Sequence, residues 1–261
     1  MTDAAHHEIE TLLTSSEPDE IHRGLDKVRE AAARSKSPEE LRPLLEMVGS
    51  LFYIDPFDRP DLVPLVNEAV SLVTEFGHWV IPYLVEDLDA GDVKAQLAVA
   101  HALGRMGTDA IAPLIAQYEK WEDPERRSFI LYALGKIKSP DIAEAAPLAF
   151  QSASSEDLDL RDTATRAIGK FAESIPSGSM KEELRRSFVE KLQENLADEN
   201  PGIRAKAVRG LGKLAKFGHL TAEEREKTRE TCDLILGKDK KFEWDRAFLV
   251  RREAEETLKY L

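Results

Sequence analysis

The chain has 261 residues, of which 42% are hydrophobic and 33% charged, and its formal net charge is −13. A net charge of this sign argues against DNA or RNA as the default partner. The one cysteine, Cys232, excludes an internal disulfide framework and a metal cage built from several cysteines.

The first ten residues, MTDAAHHEIE, contain neither a basic segment nor an apolar segment of the kind found in secretory signals. No uncharged apolar run approaches the roughly 18 residues that a membrane helix needs. Together with the low cysteine usage, these features predict a cytoplasmic protein that is not inserted in a membrane.

The charge is distributed unevenly along the chain. Residues 1–160 contain 14 Lys and Arg against 30 Asp and Glu, whereas residues 161–261 contain 22 against 19. The two parts therefore carry net charges of −16 and +3, and we expect them to present different electrostatic faces. The alternative is drift among solvated helix faces.

A short motif recurs along the chain: a small residue, an aliphatic residue, a glycine and a base. It lies in four segments that align without gaps: VKAQLAVAHALGRM (93–106), PERRSFILYALGKI (124–137), LRDTATRAIGKF (160–171) and IRAKAVRGLGKL (203–214). The glycines are 31, 34 and 43 residues apart. Pro82, Pro113 and Pro147, each followed by a hydrophobic residue, are spaced by the same 31 and 34 residues and are predicted to lie inside the helix that precedes each motif. Two markers in one register indicate an internal repeat.

The repeated segments have helical periodicity. At 100° per residue, Ile203, Ala207, Leu211 and Leu214 fall within an arc of about 80°, which is an amphipathic helix face. Each segment follows a short turn with an Asp or Asn that is a candidate helix cap. These residues are Asp92, Asp123, Asp157 and Asn200.

The pattern predicts an all-α chain of about seven helical hairpins, each made of an A and a B helix. Their approximate ranges are 2–35, 38–76, 78–107, 108–138, 139–174, 178–217 and 220–261. The irregular pieces at 53–61 and 173–180 are too short for flexible domain linkers. We therefore expect residues 1–261 to form a single repeat array.

The repeated pattern resembles the HEAT repeat, in which an acidic turn is followed by Val/Ile-Arg and then by spaced alanines and Leu-Gly. It is most similar to the short HEAT-like repeats of phycobilin lyases and many prokaryotic proteins. The resemblance is sharpest over 78–217 and extends over nearly the whole chain. It implies a right-handed α-α superhelix (a HEAT/ARM-like solenoid) with A helices outside and B helices lining the concave side. It says more about architecture than about activity, because such arrays serve unrelated tasks.

Two positions of the aligned B helices form a candidate binding surface. The residue after each glycine is basic, and the residue three before it is His, Tyr or Arg; helix geometry points both away from the core. If the B helices face inwards, as the resemblance implies, these side chains form two columns along a concave groove. The columns comprise His101, Arg105, Tyr132, Lys136, Arg166, Lys170, Arg209 and Lys213.

We expect these columns to hold an acidic or mixed-charge segment of another protein. Arg166 and Arg209 are the candidate carboxylate clamps, and Tyr132 is a candidate apolar anchor with a polar tip. The alternative for the bases that follow the glycines is a favourable interaction with the helix dipole near the end of each B helix.

Other repeated residues are expected to stabilise the stack. The resemblance places a set of arginines in the position of a structural Arg that bonds the acidic turns between neighbouring hairpins: Arg127, Arg161, Arg204 and Arg251. The repeated glycines are expected to permit close helix packing: Gly104, Gly135, Gly169 and Gly212.

Sequence motifs for catalysis are lacking. The chain has no HExxH, no GxSxG and no glycine-rich phosphate loop, and no two of its six histidines are three or four residues apart. Di-iron HEAT hydroxylases have paired His-Glu motifs, whereas this chain has only His7-Glu8. No metal site, cofactor or catalytic residue is therefore expected.

The leading hypothesis for function is a scaffold, adaptor or assembly factor that holds a partner protein or peptide in its concave groove. The alternative is a HEAT-type enzyme, similar either to an alkylpurine DNA glycosylase or to a bilin lyase or chaperone. Residues 1–160 would repel a DNA duplex that crossed the whole groove, because their net charge is −16. A short DNA contact within residues 161–261 stays open.

Overall fold

A computed structural model describes residues 3–35, 37–238 and 244–261. These residues form α-helices joined by turns and short 3₁₀ segments, and they contain no β-strand, which confirms the all-α prediction. None of the described helices is long and apolar enough to cross a membrane. Residues 1–117 and 118–261 are two compact units, and the single array over 1–261 stays a prediction.

Among its described residues, the first unit contains seven helices, of which the first six lie two by two within the predicted hairpin ranges 2–35, 38–76 and 78–107. They are α1 (Asp3–Leu13), α2 (Pro18–Arg34), α3 (Pro38–Gly49), α4 (Val63–Glu75), α5 (Ile81–Asp87), α6 (Val93–Met106) and α7 (Ile111–Lys120), the last of which continues into the second unit. Fully buried aliphatic side chains such as Leu25, Leu44, Leu72 and Leu103 form the core of this unit.

The second unit continues the same alternation. Its helices are α8 (Pro124–Leu134), α9 (Ala146–Ser152), α10 (Leu158–Ser174), α11 (Glu182–Glu194), α12 (Pro201–Lys216), α13 (Ala222–Ile235) and α14 (Phe248–Leu258). The B helices α8, α10, α12 and α14 pack in series, each against the next, and the A helices pack against them.

Asp and Asn side chains begin the B helices as predicted. Asp92 accepts hydrogen bonds from the backbone N–H groups of two residues in the first turn of α6, and Asp123, Asp157 and Asn200 do the same for one N–H each in α8, α10 and α12. Such caps satisfy N–H groups that have no partner inside the helix, so the turn sequence determines where each B helix starts.

The repeated prolines lie within the helices that precede the motifs, as predicted, and they lie in the first turn of those helices. Pro82 and Pro147 are the second residues of α5 and α9, and each follows a 3₁₀ segment rather than lying in the middle of a helix. Proline lacks an N–H and cannot make the i to i−4 bond of a helix interior, whereas the first helical turn has no such bond to lose. Pro82 and Pro147 therefore mark the starts of α5 and α9.

The motif of α8 also departs from the helix predicted over 124–137. This helix ends at Leu134, and Gly135 is its C-terminal cap residue. Lys136 therefore lies in the turn that follows, so the helical projection used to place its side chain was wrong for this repeat. In α6, α10 and α12 the equivalent glycine is inside the helix.

The core of the second unit relies on small side chains and close helix approach. The predicted apolar face of α12 is buried: Ile203, Ala207, Leu211 and Leu214 are all at most 2% exposed. The larger side chains Phe150 and Phe188 meet edge to face with ring centroids 5.1 Å apart. Burying these apolar surfaces is the main stabilising term for helices that are too short to be stable alone.

Candidate functional site

The predicted columns include residues of both units. In the first unit, His101 is half-buried and Arg105 is exposed, both on α6. The Arg105 guanidinium donates hydrogen bonds to the Ser71 hydroxyl and to the carbonyl of Asn67 on α4. Arg105 is therefore engaged by a neighbouring helix of its own unit.

In the second unit, four of the predicted residues lie together around one aromatic ring. The Lys136 Nζ is 4.6 Å from the centroid of the Tyr132 ring, and the Arg166 Cζ is 5.7 Å from it. Tyr132, Lys136, Arg166 and Lys170, which we call the aromatic–basic patch, line a cleft of about 130 Å³ between α8 and α10. A cation held over an aromatic face is attracted by the ring, so the tyrosine positions both bases.

The bases of the aromatic–basic patch differ in their partners. Lys170 forms an ion pair with Glu173, at 3.3 Å. Arg166 is exposed, and among the residues that the structure describes it has no ion pair, only the Tyr132 ring. Its five N–H donors are therefore available to an incoming carboxylate.

Glu173 draws several lysines together one helical turn after Gly169. Its carboxylate lies 2.9 Å from Lys213, 3.0 Å from Lys138 and 3.3 Å from Lys170. We call these four residues the Glu173 cluster. It links α10 to α12 and to the turn after α8, so that predicted binding residues of different helices share one counter-charge.

The cluster shifts the pKa values of its members. Burial alone would raise the pKa of Glu173, but the hydrogen bonds and charges of Lys213 and Lys138 outweigh it and lower the pKa to about 2. Burial lowers the pKa of Lys213 to about 8, although Glu173 partly offsets this effect. At neutral pH both groups are charged and the cluster carries a net positive charge.

Arg209 already holds a carboxylate of its own chain. Its Nε and Nη2 donate to the two carboxylate oxygens of Glu253 on α14, at 2.8 and 2.5 Å. The Glu253 side chain is only 9% exposed, and the hydrogen bond from Arg209 lowers its pKa. The expectation that Arg209 clamps a partner's carboxylate is therefore corrected, because this two-point geometry is taken up within the fold.

A second cleft, of about 280 Å³, lies between α12 and α14. Its walls include Arg209, Lys213, Lys216 and Tyr260. The Lys216 Nζ is 5.2 Å from the Tyr260 ring centroid. The cleft thus combines mixed charge with aromatic surface, next to the Glu173 cluster.

The four arginines predicted to be structural share one hydrogen-bond pattern, and we call them the turn arginines. Each donates to the carbonyl six residues before it, in the turn that precedes its own helix. Arg161 also pairs with Asp198, and Arg204 pairs through two atoms with Asp245; both carboxylates belong to the following hairpin. Arg127 and Arg251 instead contact aromatic rings.

Close packing at the repeated glycines varies from one to the next. A Cβ added to Gly212 would lie 2.5 Å from the Thr257 hydroxyl oxygen, and one added to Gly169 would lie 3.2 Å from the Cα of Gly210. At Gly135 the nearest atoms would be 3.4 Å away, which is ordinary contact. The requirement for glycine is thus greatest where α12 meets α10 and α14.

Glu173 and Glu253 line the cleft between α12 and α14 but are not among the residues predicted from the sequence. Glu173 occupies the position four residues after the repeated glycine, where the other aligned segments have Thr108, Ser139 and Lys216. Extending the alignment by one turn would have included Glu173 among the residues on the exposed side of the helix. Lys170 is a local partner, but Lys138 and Lys213 are 35 and 40 residues away in sequence, so no local pattern could have named them.

The remaining candidates for chemistry are accounted for by packing. Cys232 is 1% exposed, and burial raises the pKa of its thiol to about 12. Over residues 3–35, 37–238 and 244–261, no group of three or more His, Cys, Asp or Glu side chains is arranged to hold a metal ion.

No known protein-family profile matches the sequence, and no curated protein is significantly similar to it. Solved structures do match. A designed armadillo repeat protein is 14% identical, with a TM-score of 0.55, covering 91% of this chain and 99% of its own. The complex of CpcE and CpcF of phycocyanin lyase from Nostoc sp. PCC7120 is 18% identical, with a TM-score of 0.56, covering 70% of this chain and 99% of the other.

A structure of Kap95p bound to RanGDP also matches, at 14% identity and a TM-score of 0.57, with 98% of this chain aligned to 36% of that one. The fold is an armadillo/HEAT-like helical repeat. At these identities the similarity concerns the fold alone, so the function of an armadillo/HEAT-like chain has to be argued from its own surface.

Proposed function

We propose that this protein is an interaction scaffold whose second unit binds an acidic segment of a partner protein on the aromatic–basic patch. The observation that carries the proposal is that Lys136 and Arg166 lie 4.6 and 5.7 Å from the Tyr132 ring centroid, with Arg166 exposed and without an internal ion pair among the described residues. A planar guanidinium binds a carboxylate through two parallel hydrogen bonds, and the tyrosine offers apolar area beside it.

Preorganisation supports this assignment. Long basic side chains lose rotamer freedom when they bind, which weakens most surface ion pairs. Here the Tyr132 ring already restrains two of them, and the Glu173 cluster restrains Lys170. Part of the entropic cost is thus borne by the fold, so an acidic segment gains more from this patch than from scattered surface bases.

The similar solved structures agree with a protein partner in general terms. CpcE and CpcF form a complex with each other, and Kap95p binds RanGDP. We extend protein binding, and not the activity of either neighbour, to this chain.

A direct binding assay tests the proposal. The probe is a fluorescein-labelled hexaglutamate peptide, with labelled hexalysine and an oligo-dT strand as comparisons, measured by fluorescence anisotropy at low and moderate salt. We expect saturable binding of hexaglutamate that weakens with salt. The double variant Lys136→Glu/Arg166→Glu should weaken it by roughly tenfold or more, since it replaces two attractions by two repulsions.

The matched control is Arg186→Glu/Arg229→Glu, which changes the net charge by the same amount. Arg186 is exposed on α11 and Arg229 is half-buried on α13, and neither lines the cleft of the aromatic–basic patch. If the control weakens binding as much as the patch variant does, only the overall field matters and the proposed site is wrong. Tighter binding of oligo-dT than of hexaglutamate, lost in the patch variant, would favour the nucleic-acid alternative instead.

A further inference from the structure

The turn arginines repeat one contact from hairpin to hairpin in the second unit. Arg161 donates through Nη1 to the carbonyl of Ser155 in its own turn and through Nε to Asp198 of the following hairpin, at 2.6 and 2.8 Å. Arg204 likewise donates through Nη1 to the backbone carbonyl of Asp198 in its own turn and through Nε to the carboxylate of Asp245 in the following hairpin, at 2.7 Å each. An acidic side chain of the following hairpin is thus the partner of this arginine in two successive hairpins, whereas Arg127 contacts the Tyr118 ring.

Arg251 on α14 occupies the same position but lacks that partner. Its Nη1 donates to the carbonyls of Asp245 and Arg246, at 2.6 and 3.1 Å, as in the preceding hairpins. No carboxylate of the described chain forms an ion pair with it. The guanidinium lies instead beside two rings, with its Cζ 5.9 Å from Trp244 and 6.0 Å from Phe248.

The two rings that flank Arg251 are open to solvent. Trp244 is 63% exposed and Phe248 is 69% exposed. Large aromatic side chains that surround an arginine are typical of the residues that contribute most to protein interfaces. The surface formed by Trp244, Phe248 and Arg251, which we call the terminal surface, therefore offers apolar area together with oriented donors.

A further hairpin stacked like the earlier ones does not fit this surface well. Eight residues after the turn arginine, α10 and α12 have Gly169 and Gly212, and Gly212 lies directly against Thr257 of α14. The equivalent position of α14 is Lys259. A lysine at this position lacks the close approach that glycine permits, so we do not expect a helix to pack here as α14 packs on α12.

We propose that the terminal surface binds an acidic loop or peptide of another protein, in which one carboxylate pairs with Arg251 and a neighbouring apolar side chain packs against Trp244 and Phe248. The charge complementarity is that of the Arg161–Asp198 and Arg204–Asp245 pairs, supplied from outside the described chain. This site is separate from the aromatic–basic patch, and neither depends on the other.

The chain itself provides a suitable probe. The acetylated and amidated peptide LADENP copies residues 196–201, the segment that presents Asp198 to Arg161 in the fold. It is added to the full-length ¹⁵N-labelled protein while the Nε–Hε signals of the arginines and the indole signal of Trp244 are followed by NMR. The control peptide is LANQNP, in which the aspartate and the glutamate are replaced by asparagine and glutamine.

We expect LADENP to shift the Arg251 and Trp244 signals saturably and LANQNP to leave them nearly unchanged. Arg204, which is already paired, and Arg246, an exposed arginine of the same turn, are internal references whose signals should stay in place. Arg251→Lys keeps the charge but loses the paired N–H donors of the guanidinium, and it should bind LADENP roughly tenfold more weakly. Unchanged Arg161 and Arg204 signals in this variant show that it is folded.

Four results would overturn the assignment. Equal shifts with both peptides, or an equal shift of Arg246, would mean that the carboxylate is not recognised by Arg251. Broadening of the Arg251 and Trp244 signals with protein concentration, before any peptide is added, would assign the surface to a second copy of the chain. Stronger shifts with oligo-dT than with LADENP would assign it to nucleic acid.

Discussion

Neutralising Glu173 measures how much the Glu173 cluster contributes to the stability of the second unit. In Glu173→Gln the side chain keeps nearly the same shape but loses its charge. The ammonium groups of Lys213 and Lys138, at 2.9 and 3.0 Å, then lose their counter-charge while remaining close to each other and to Lys170. We expect a lower free energy of unfolding at neutral pH.

The magnitude follows from the pKa of Glu173, which is lowered from 4.5 to about 2. A shift of this size corresponds to roughly 3 kcal/mol of differential stabilisation of the charged carboxylate. That figure is an upper limit, because the side chain is 27% exposed and solvent screens the surrounding charges. We expect Glu173→Gln to lose about 1–2 kcal/mol at pH 7.

The effect has a defined pH dependence. Because the pKa of Glu173 is lower in the folded than in the unfolded state, its stabilising contribution is fully present above the ordinary value of 4.5 and is lost as the pH falls towards about 2. The stability difference between the wild type and Glu173→Gln should therefore be constant from pH 7 to about pH 5.5 and reduced by roughly half at pH 3.

Urea denaturation followed by circular dichroism at pH 7, 5.5, 4 and 3 measures this difference. The control is Glu230→Gln on α13, an exposed carboxylate with no ion pair among the described residues, which should change stability by less than about 0.5 kcal/mol. The reasoning is refuted if Glu173→Gln is as stable as the wild type at pH 7, or if its deficit is the same at pH 3 as at pH 7.

Two further predictions concern the contacts between hairpins. Arg204→Gln removes a two-point ion pair and leaves the Asp245 carboxylate, which is only 13% exposed, without its partner, so the urea-derived free energy of unfolding should fall by about 2–4 kcal/mol. The control Arg246→Gln alters an exposed arginine and should change the free energy of unfolding little. Similar losses in both variants would contradict the structural role of Arg204. Gly212→Ala would place a Cβ 2.5 Å from the Thr257 hydroxyl oxygen and should cost about 1–3 kcal/mol. A Cβ added at Gly135 has no neighbour closer than 3.4 Å, so Gly135→Ala should be neutral or stabilising by up to about 1 kcal/mol. Thermal unfolding measures both alanine variants, and a lower stability of Gly135→Ala than of Gly212→Ala would contradict the packing at Gly212.

The residues that determine local structure could be recognised from the sequence. Asp92 and Asn200 cap helices where predicted, and Ile203 and Leu214 are buried as the periodicity indicates. These features depend on residues within a few positions of one another, where a helix has one geometry and the chemistry of a cap is nearly independent of the rest of the chain. The end of α8 at Leu134 was missed because the aligned segments differ there in conformation and not in pattern.

The candidate site was predicted only in part, and the division follows the range of the interactions. The sequence identified Tyr132, Lys136 and Arg166 as residues that point away from the core. It did not show that Lys136 and Arg166 lie 4.6 and 5.7 Å from the Tyr132 ring centroid. It also treated Arg166 and Arg209 as equivalent. In the fold Arg209 is paired with Glu253, 44 residues later, whereas Arg166 is not paired within the described chain.

By itself, the sequence determined the type of element, the positions of most helix starts and the faces that are buried, because these follow from the regular geometry of short helices. Only the tertiary structure decided which charges are neutralised internally and which remain available to a partner. Glu173 meets Lys213 across 40 residues because α10 and α12 approach closely at Gly169 and Gly210. The distance between two side chains on different helices depends on the separation and rotation of those helices, and this information is absent from any local pattern.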